Sequence, residues 1–429
     1  MALGGGVWTT QNKIIPGTYV NIVGKNVNSS DNERGVVAVP VELDWGEANK
    51  VITLTKEEFE RDALILFGYE YDDPKLIKLR EVFRHATKAH IYRMCKDGVK
   101  ASNDIAEAKF VGTRGNNITI VVKTNVDEPS KFDVETMLDG KRVDRQIVAK
   151  SQDLVENAFV TFKQPSLSAS AGKPLISGTN GTTITGKEHQ EFLAKVEPYT
   201  FNCLVCPSKD EATKKIYTAF TKRLRDEIGQ KFQTITHNYT AADYEGVISV
   251  KNNTEPDLVY WVAGASASIP LNGTLLNMEY DGEYAIDTDY TQFELEMCTR
   301  NKELVFHKSG EDVVLLNDIN TLKTYTDIKT EIFTENKVIR VTDSIAIDTA
   351  NIFNKMYLGN YTNLADDRVS LWNSIYSKLK DYETAKTIDK LDPKDLKVEK
   401  GRESDSVLVT GNLTIVRNMA KAYVTFNVI

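Results

Sequence analysis

Apolar residues recur at two different spacings along the first hundred positions of the chain. Near-continuous apolar runs at residues 36–43, 51–54 and 89–94 predict strands. Between the last two runs, apolar positions at helical spacing predict two helices, of which the first begins at a capping box formed by Thr55 and Glu58. This order of strands and helices predicts one layer of an α/β fold.

From about residue 98 the pattern changes to that of short strands. The dipeptide Asp139-Gly140 predicts a tight hairpin turn within this stretch. We expect residues 98–178 to form an inserted antiparallel β domain, and residues 164–181, rich in Ser, Gly, Ala and Pro, to be its exit linker. The strands predicted here are residues 107–111, 117–123, 132–137, 144–149 and 158–162.

Helices and strands alternate again beyond residue 179 with the spacing of βαβ units. This spacing indicates that residues 25–97 and 179–345 are two parts of one split α/β core. Residues 346–429 are predicted to form an α+β C-terminal domain, in which the charged stretch 384–403 is a solvated connection to two strands at 407–416 and 420–429. The predicted fold class is therefore α/β multidomain.

Both ends of the sequence are β-rich but have no neighbouring strand with which to pair. The extended N-terminal β arm, residues 1–24, is followed by a polar, loop-like stretch. The extended C-terminal β arm, residues 420–429, is apolar where most chains fray into polar residues. Each arm therefore needs a sheet to join. The residues concerned are Tyr19, Val20, Ile22 and Val23 in the first arm and Tyr423, Val424, Phe426 and Val428 in the second.

Composition limits the possible functions. The 429 residues are 41% hydrophobic and 27% charged, which is typical of a soluble globular protein with more than one domain. No apolar run is long enough for a membrane-spanning helix, and the first residues do not resemble a secretory signal. The net charge of −8 argues against nucleic-acid binding. Each end carries two basic and no acidic side chains, which either favours contact between the ends and the acidic bodies of other copies or is chance.

Three short motifs resemble sites of chemistry without completing them. Residues 181–187 match most of a phosphate loop, but Glu188 stands where a hydroxyl should bind magnesium, which favours a simple turn before a helix. Gly264 to Ser268 lacks the closing glycine of a nucleophile elbow, which favours close helix packing. Cys203 and Cys206 have no second cysteine pair, which favours buried free thiols. We therefore expect no catalytic residue, cofactor or metal, and no enzyme.

Taken in order, several segments resemble the tail sheath proteins of contractile bacteriophages and phage-like particles, in the form found in Gram-positive bacteria. The most specific are residues 313–326, containing Leu-Leu-Asn-Asp-Ile-Asn-Thr-Leu, and residues 336–343, Asn-Lys-Val-Ile-Arg-Val-Thr-Asp. Each segment alone is a weak signal, but together they span nearly the whole chain. The others are Pro16-Gly-Thr-Tyr-Val, Arg34-Gly-Val-Val-Ala-Val-Pro, Trp45-Gly, and residues 112–121, 177–181, 202–207 and 260–267.

The resemblance implies a structural subunit whose two arms join sheets of neighbouring subunits by β-augmentation. Head-to-tail contacts that do not close give helical polymers. The implied partners are other copies of the chain in a helical homopolymer, the tail tube protein, and the baseplate and tail terminator proteins, with no membrane insertion and no direct contact with nucleic acid. The implied location is the virion tail sheath or a phage-like particle, assembled in the host bacterial cytoplasm. Contraction would drive the tube through a bacterial envelope without consuming nucleotide.

Two other functions stay open from the residues alone. One is an α/β hydrolase that uses the degenerate phosphate loop, in which case Lys187→Ala would abolish an ATP-dependent activity. The other is a monomeric binding module whose β insertion recognises a carbohydrate or a cell surface. A stable monomer at high concentration would favour the binding module.

Overall fold

A computed structural model describes residues 34–164 and 166–428. Within these residues the chain forms two compact units. The larger unit contains residues 34–38, 81–89 and 197–428, and the smaller unit contains residues 39–80, 90–164 and 166–196.

Helices and strands occur throughout the described residues, which confirms the α/β multidomain class. The strands are β1 (Val36–Val41), β2 (Val51–Thr55), β3 (Lys88–Arg93), β4 (Ala106–Ala108), β5 (Ile118–Thr124), β6 (Phe132–Leu138), β7 (Lys141–Val148), β8 (Val160–Phe162), β9 (Ser170–Pro174), β10 (Cys203–Val205), β11 (Gln233–His237), β12 (Val247–Val250), β13 (Phe306–Ser309), β14 (Asp312–Leu315), β15 (Leu396–Lys400) and β16 (Val407–Gly411). The α-helices are α1 (Lys56–Phe67), α2 (Ile77–Phe83), α3 (Gly186–Val196), α4 (Glu211–Lys222), α5 (Leu258–Ser268), α6 (Gln292–Arg300), α7 (Asn336–Ile352) and α8 (Ala365–Thr384). Short π-helical turns, Arg223–Ile228 and Phe353–Tyr357, continue α4 and α7.

The smaller unit is built around an antiparallel sheet with the strand order β7-β6-β5-β9. The predicted turn between β6 and β7 is confirmed: Asp139 and Gly140 have φ values of 50° and 77°, as a type I′ turn requires. Alternate side chains of β5, including Ile118 and Ile120, are buried in a core that also contains Trp45. The capping box predicted at the start of α1 is present as well.

The stretch predicted as an exit linker contains the edge strand β9. It pairs antiparallel with β5, with Thr119 opposite Pro174 and Val122 opposite Ser170. Its composition hid it, because Gly and Pro are depleted in strands. Both are tolerated here, since Pro174 ends an edge strand and Gly172 adopts a φ of +135° beside a register shift. The prediction that residues 164–181 form only a linker is therefore wrong.

The larger unit contains a parallel sheet in which β12, β11, β10 and β1 lie side by side in that order. Parallel neighbours need a crossover, and α4 supplies the one between β10 and β11. Every residue of β10, β11 and β12 is buried, as expected for parallel strands that are covered on both faces. Helix α5 packs against β10 and β11 and is buried along its length except at Ser268.

The small residues of α5 allow another segment of the larger unit to approach closely. A Cβ atom on Gly264 would lie 2.4 Å from the carbonyl oxygen of Val82. The Ser268 hydroxyl donates to the carbonyl oxygen of His85 at 2.7 Å. Close helix packing, predicted for this stretch in place of a nucleophile elbow, is confirmed.

The C-terminal part of the larger unit packs α7 and α8 with the antiparallel pair β15–β16. The indole Nε1 of Trp372 in α8 donates to the carbonyl oxygen of Leu396 at 2.8 Å. Residues 384–403 were predicted to be a solvated connection, but they contain β15, and Ile388 and Leu391 are buried. That prediction is wrong because alternate apolar positions, such as Leu396 and Val398, are hidden among many charged neighbours.

Gly264→Ala should destabilise the protein by about 1–3 kcal/mol, because the new methyl group overpacks against the backbone of Val82. Helix propensity alone predicts the opposite sign, since Ala stabilises a helix interior by about 1 kcal/mol relative to Gly. Urea denaturation followed by circular dichroism measures the change. An alanine variant as stable as the parent would show that the close approach is not a constraint.

Candidate functional site: the C-terminal anchor and tip

Residues 412–418, here called the C-terminal anchor, are fixed to the larger unit. Ile415 is buried among the side chains of α7 and α8 and forms an antiparallel bridge with Ile388. The Val416 N–H donates to the carbonyl oxygen of Thr387 at 3.0 Å. These contacts hold the chain in an extended conformation up to the last residues of the anchor.

Two polar contacts complete the anchor. Arg417 Nε donates to Glu335 Oε2 at 3.0 Å, and this hydrogen bonding raises the pKa of Arg417. Lys337 Nζ donates to Asn418 Oδ1 at 2.6 Å, while burial and the nearby Arg340 lower the pKa of Lys337. The charge of Arg417 is thus matched by Glu335 within its own chain. Of the two basic residues at this end, only Lys421 is left to contact the acidic body of another copy.

Residues 419–428, here called the C-terminal tip, are exposed along their length. The side chain of Phe426 is 87% exposed and that of Val428 is 98% exposed, and Tyr423 and Val424 are also exposed. The tip is neither helix nor strand in the single chain, so the predicted strand at 420–429 is not formed by its described residues. A strand needs a partner edge to satisfy its backbone, and none of the described residues of the subunit pairs with the tip.

The tip presents apolar side chains at alternate positions. Val424, Phe426 and Val428 would lie on one face of an extended strand, and Tyr423 would lie on the other. Exposed apolar side chains grouped in this way are typical of surfaces that bind other proteins. The pairing role predicted for these four residues stays a prediction. The other four predicted residues, Tyr19, Val20, Ile22 and Val23, lie outside the described residues.

The pair β15–β16 lies next to the anchor along the chain and forms a sheet of two strands. Each strand therefore has one edge whose backbone groups are unpaired within the sheet. The strand residues are partly or fully exposed except Leu396. Two strands alone are marginally stable, and a third strand would add to them.

The stretch that resembles a phosphate loop is occupied with interactions of its own. The N–H and the hydroxyl of Thr185 donate to Glu188 Oε2 at 2.7 and 2.6 Å, and this hydrogen bonding lowers the pKa of Glu188 to about 2. The side chain of Lys187 is exposed and faces Glu191 one turn along α3. The predicted turn before a helix is confirmed, and Glu188 caps that helix.

The two cysteines with redox spacing are buried free thiols, as predicted. Burial raises the pKa of Cys203 to about 11 and that of Cys206 to about 12. A reactive cysteine needs the opposite shift, because the thiolate is the nucleophile and the metal ligand. Across residues 34–164 and 166–428, no group of three or more His, Cys, Asp or Glu side chains is arranged to hold a metal ion. In the same part of the chain, no helix combines the length and the apolar character needed to cross a membrane.

Sequence reasoning missed the residues that hold the anchor. Glu335 and Lys337 are 82 and 81 positions away from their partners Arg417 and Asn418. The basic charge at the C-terminal end is evident from the sequence, but no local pattern indicates which distant side chains contact Arg417 and Asn418.

Four family models match the chain in succession. They are described as the tail sheath protein Gp18 domain III N-terminal region (residues 34–94), the phage tail sheath protein beta-sandwich domain (96–180), the phage tail sheath protein central domain (182–321) and the phage tail sheath C-terminal domain (328–429). The phage-like element PBSX protein XkdK of Bacillus subtilis is 35% identical over 386 residues, which is 81% of each chain. A tail sheath protein of Clostridium phage phiCD119 is 25% identical over 223 residues, 50% of this chain and 62% of that protein.

Solved structures show the same likeness. The sheath tail protein of Desulfitobacterium hafniense has a TM-score of 0.84 at 35% identity and covers 94% of this chain and 98% of its own. The sheath tail protein of Listeria innocua has a TM-score of 0.77 at 30% identity and covers 91% of this chain and 93% of its own. The helical sheath of the anti-feeding prophage in its contracted state has a TM-score of 0.56 at 11% identity, with 97% and 99% covered, and shares the fold.

Removing residues 419–429 should leave the Tm of the monomeric protein unchanged to within about 1 °C, because the described tip side chains are already exposed. Ile415→Ala, in the buried anchor, should instead cost about 2–5 kcal/mol. Differential scanning calorimetry at low protein concentration measures both. A large loss of Tm in the truncated chain would mean that the tip packs on its own subunit.

Glu188→Ala should cost about 1 kcal/mol through the lost cap of α3, whereas Lys187→Ala should change stability by less than about 0.5 kcal/mol. The folded-state pKa of Glu188 is depressed, so its contribution to the stability of the protein is present above pH 4.5 and is lost as the pH falls towards about 2.

ATP with magnesium should leave the Tm of the parent and of both variants unchanged. An ATP-dependent rise in Tm that Lys187→Ala removes would restore the nucleotide hypothesis.

Proposed function

The chain belongs to the phage tail sheath family, and from this premise we propose that it polymerises helically around a tail tube by exchanging strands between subunits. The family is a structural one and not a class of enzymes. The observation that carries the proposal is the contrast between an anchor fixed by Ile415, Arg417 and Asn418 and a tip whose apolar side chains are exposed.

The tip would add as a strand to a sheet of a neighbouring subunit. A strand of five or six residues makes about four to six backbone hydrogen bonds, each contributing a net of about 1 kcal/mol. Burial of side chains such as Phe426 and Val428 would add about 1.5–3 kcal/mol each. Even after the cost of ordering the tip, several kcal/mol per arm are available to hold two subunits together.

The acceptor that suits this role is the β15–β16 pair of the neighbour. Each of its strands has one edge that is not paired with another strand, although Trp372 of α8 occupies the carbonyl oxygen of Leu396, and the pair is too small to be robust alone. Trp372, Leu396 and Val398 belong to one apolar cluster, so an added strand would extend an apolar surface that is already supported. The N-terminal arm, with Tyr19, Val20, Ile22 and Val23, would supply a further strand to the same kind of sheet.

A tip that leaves one copy and an edge that receives it on another make a head-to-tail contact. Contacts of this type that do not close on themselves produce helical polymers. The fold that the chain shares with the helical sheath of the anti-feeding prophage in its contracted state supports a contractile polymer. Contraction would then drive the tube through a bacterial envelope, with the tail tube, baseplate and tail terminator proteins as the other partners. Particles would be assembled in the host bacterial cytoplasm.

The finer domain organisation belongs to the same proposal. A core made of residues 25–97 and 179–345 would lie near the tube, and the inserted β domain at 98–178 would lie outside. The C-terminal domain, residues 346–429, would carry the donor tip and the acceptor pair.

Val424→Pro should abolish tube formation, because proline removes a backbone N–H and disrupts strand pairing in the tip. Val424→Thr keeps that N–H and is the matched control, which should still form tubes. Negative-stain electron microscopy and sedimentation velocity measure assembly, and unchanged far-ultraviolet circular dichroism shows that the subunits are folded. Tubes formed equally well by the proline variant would refute strand exchange through the tip.

A further inference from the structure

A small cavity lies in the larger unit between the parallel sheet, α5 and α7. Its volume is about 20 Å³, and its lining includes Arg34, Lys231, Arg340, Asp343, Ser266 and Cys203. Space of this size admits one water molecule or one monatomic ion. The cavity is therefore bordered by three cationic side chains and one carboxylate, and one water molecule or one small ion would fill it.

The two acidic residues nearest the cavity are each engaged by an arginine. Arg225 Nη1 and Nη2 donate to the two carboxylate oxygens of Asp343 at 2.7 and 2.8 Å. Arg340 Nη2 donates to Asp318 at 2.5 Å, and Asp318 also accepts from Asn336. Both arginine side chains are at most 4% exposed. Of the three cations that line the cavity, only Arg340 is therefore neutralised, because the partner of Asp343 is Arg225, which is not part of the lining.

The other two cations have no carboxylate within ion-pair distance among the described residues. Arg34 Nη2 donates to the carbonyl oxygen of Ser266 at 2.9 Å, and Lys231 Nζ donates to that of Arg225 at 2.8 Å. Burial and Arg340 lower the pKa of Arg34 to about 10, and burial and Arg225 lower the pKa of Lys231 to about 8.

Two buried donors also have no acceptor. They are the Nε–H groups of Arg34 and Arg340, both of which belong to residues that line the cavity. A buried donor without an acceptor and a buried charge without a counter-charge are both costly. A water molecule would satisfy the hydrogen bonds but not the charge, whereas an anion satisfies both.

We propose that this cavity binds a small monovalent inorganic anion of chloride size, held by Arg34, Lys231 and Arg340. The ion links the start of β1, the segment before β11, and α7, which are distant in sequence. Arg34 lies two residues before β1, so the site lies beside the start of this strand in the larger unit.

Bromide is a suitable probe, because it is close to chloride in size and scatters anomalously. Crystals of the full chain grown in sodium bromide should show an anomalous peak within hydrogen-bond distance of the Arg34 and Arg340 Nε atoms. A water molecule only, with no anomalous peak there, would overturn the proposal. This measurement uses the parent sequence and so does not depend on whether variants fold.

Stability in solution gives a second test. At equal ionic strength, replacing sodium gluconate by sodium bromide should raise the Tm by about 1.5–2.5 °C per tenfold increase in bromide above the dissociation constant, as mass action requires. Lys231→Met keeps the length of the side chain and should reduce this rise at least severalfold. Lys215→Met, at an exposed position of α4, is the control and should keep it. An equal response to bromide in the parent and in Lys231→Met would contradict the proposed site.

Discussion

Backbone groups of an extended strand must find partners, and this single requirement determines how the C-terminal part of the molecule is organised. As far as Val416 the backbone finds partners within the subunit, in β15, in the bridge between Ile388 and Ile415 and in the contact to Thr387, and side-chain contacts hold the next two residues. Across residues 419–428 no backbone partner is present, and five large apolar side chains are left exposed, those of Met419, Tyr423, Val424, Phe426 and Val428. Water can satisfy the exposed backbone, but it cannot remove the cost of the exposed apolar surface. A second copy of the chain can pair with the backbone of the tip and can also bury its apolar side chains.

Strand donation is useful only if the body that donates the strand is rigid. In the larger unit, α7 provides much of this rigidity, because it carries both Arg340 and Asp343 into the buried ion pairs and contributes Val338 and Val341 to the core shared with α8. Breaking either buried pair by removing one partner would leave an uncompensated charge. Glu335 and Lys337, which hold the anchor, lie at the start of the same helix. The force on a donated tip would therefore pass directly into α7, which is held by two buried ion pairs.

Local signals in the sequence predict much of this fold, and the failures have a common cause. The capping box at Thr55, the turn at Asp139-Gly140 and the apolar helix around Gly264 depend on neighbouring residues, and all three were predicted correctly. Strand β9 was missed because its partner edge, and not its own composition, makes it a strand. Strand β15 was missed because Lys397 and Glu399 mask the alternation of Leu396 and Val398, and its pairing with β16 makes it a strand. The two polar anchor contacts join residues 82 and 81 positions apart, so periodicity carries no information about them.

The position of the anchor also limits where a sheath could accommodate movement. Gly411 ends β16, and the residues after it are tied to Ile388, Thr387 and Glu335. If the tip is donated from Tyr423 onwards, only residues 419–422 lie between the fixed body and the shared strand. Four extended residues span about 13 Å. Neighbouring subunits joined in this way could rotate freely relative to one another, but they could separate at the joint by no more than about this distance. A large change in sheath length would then have to arise from rotation of rigid subunits about their arms, with the shared strands kept intact.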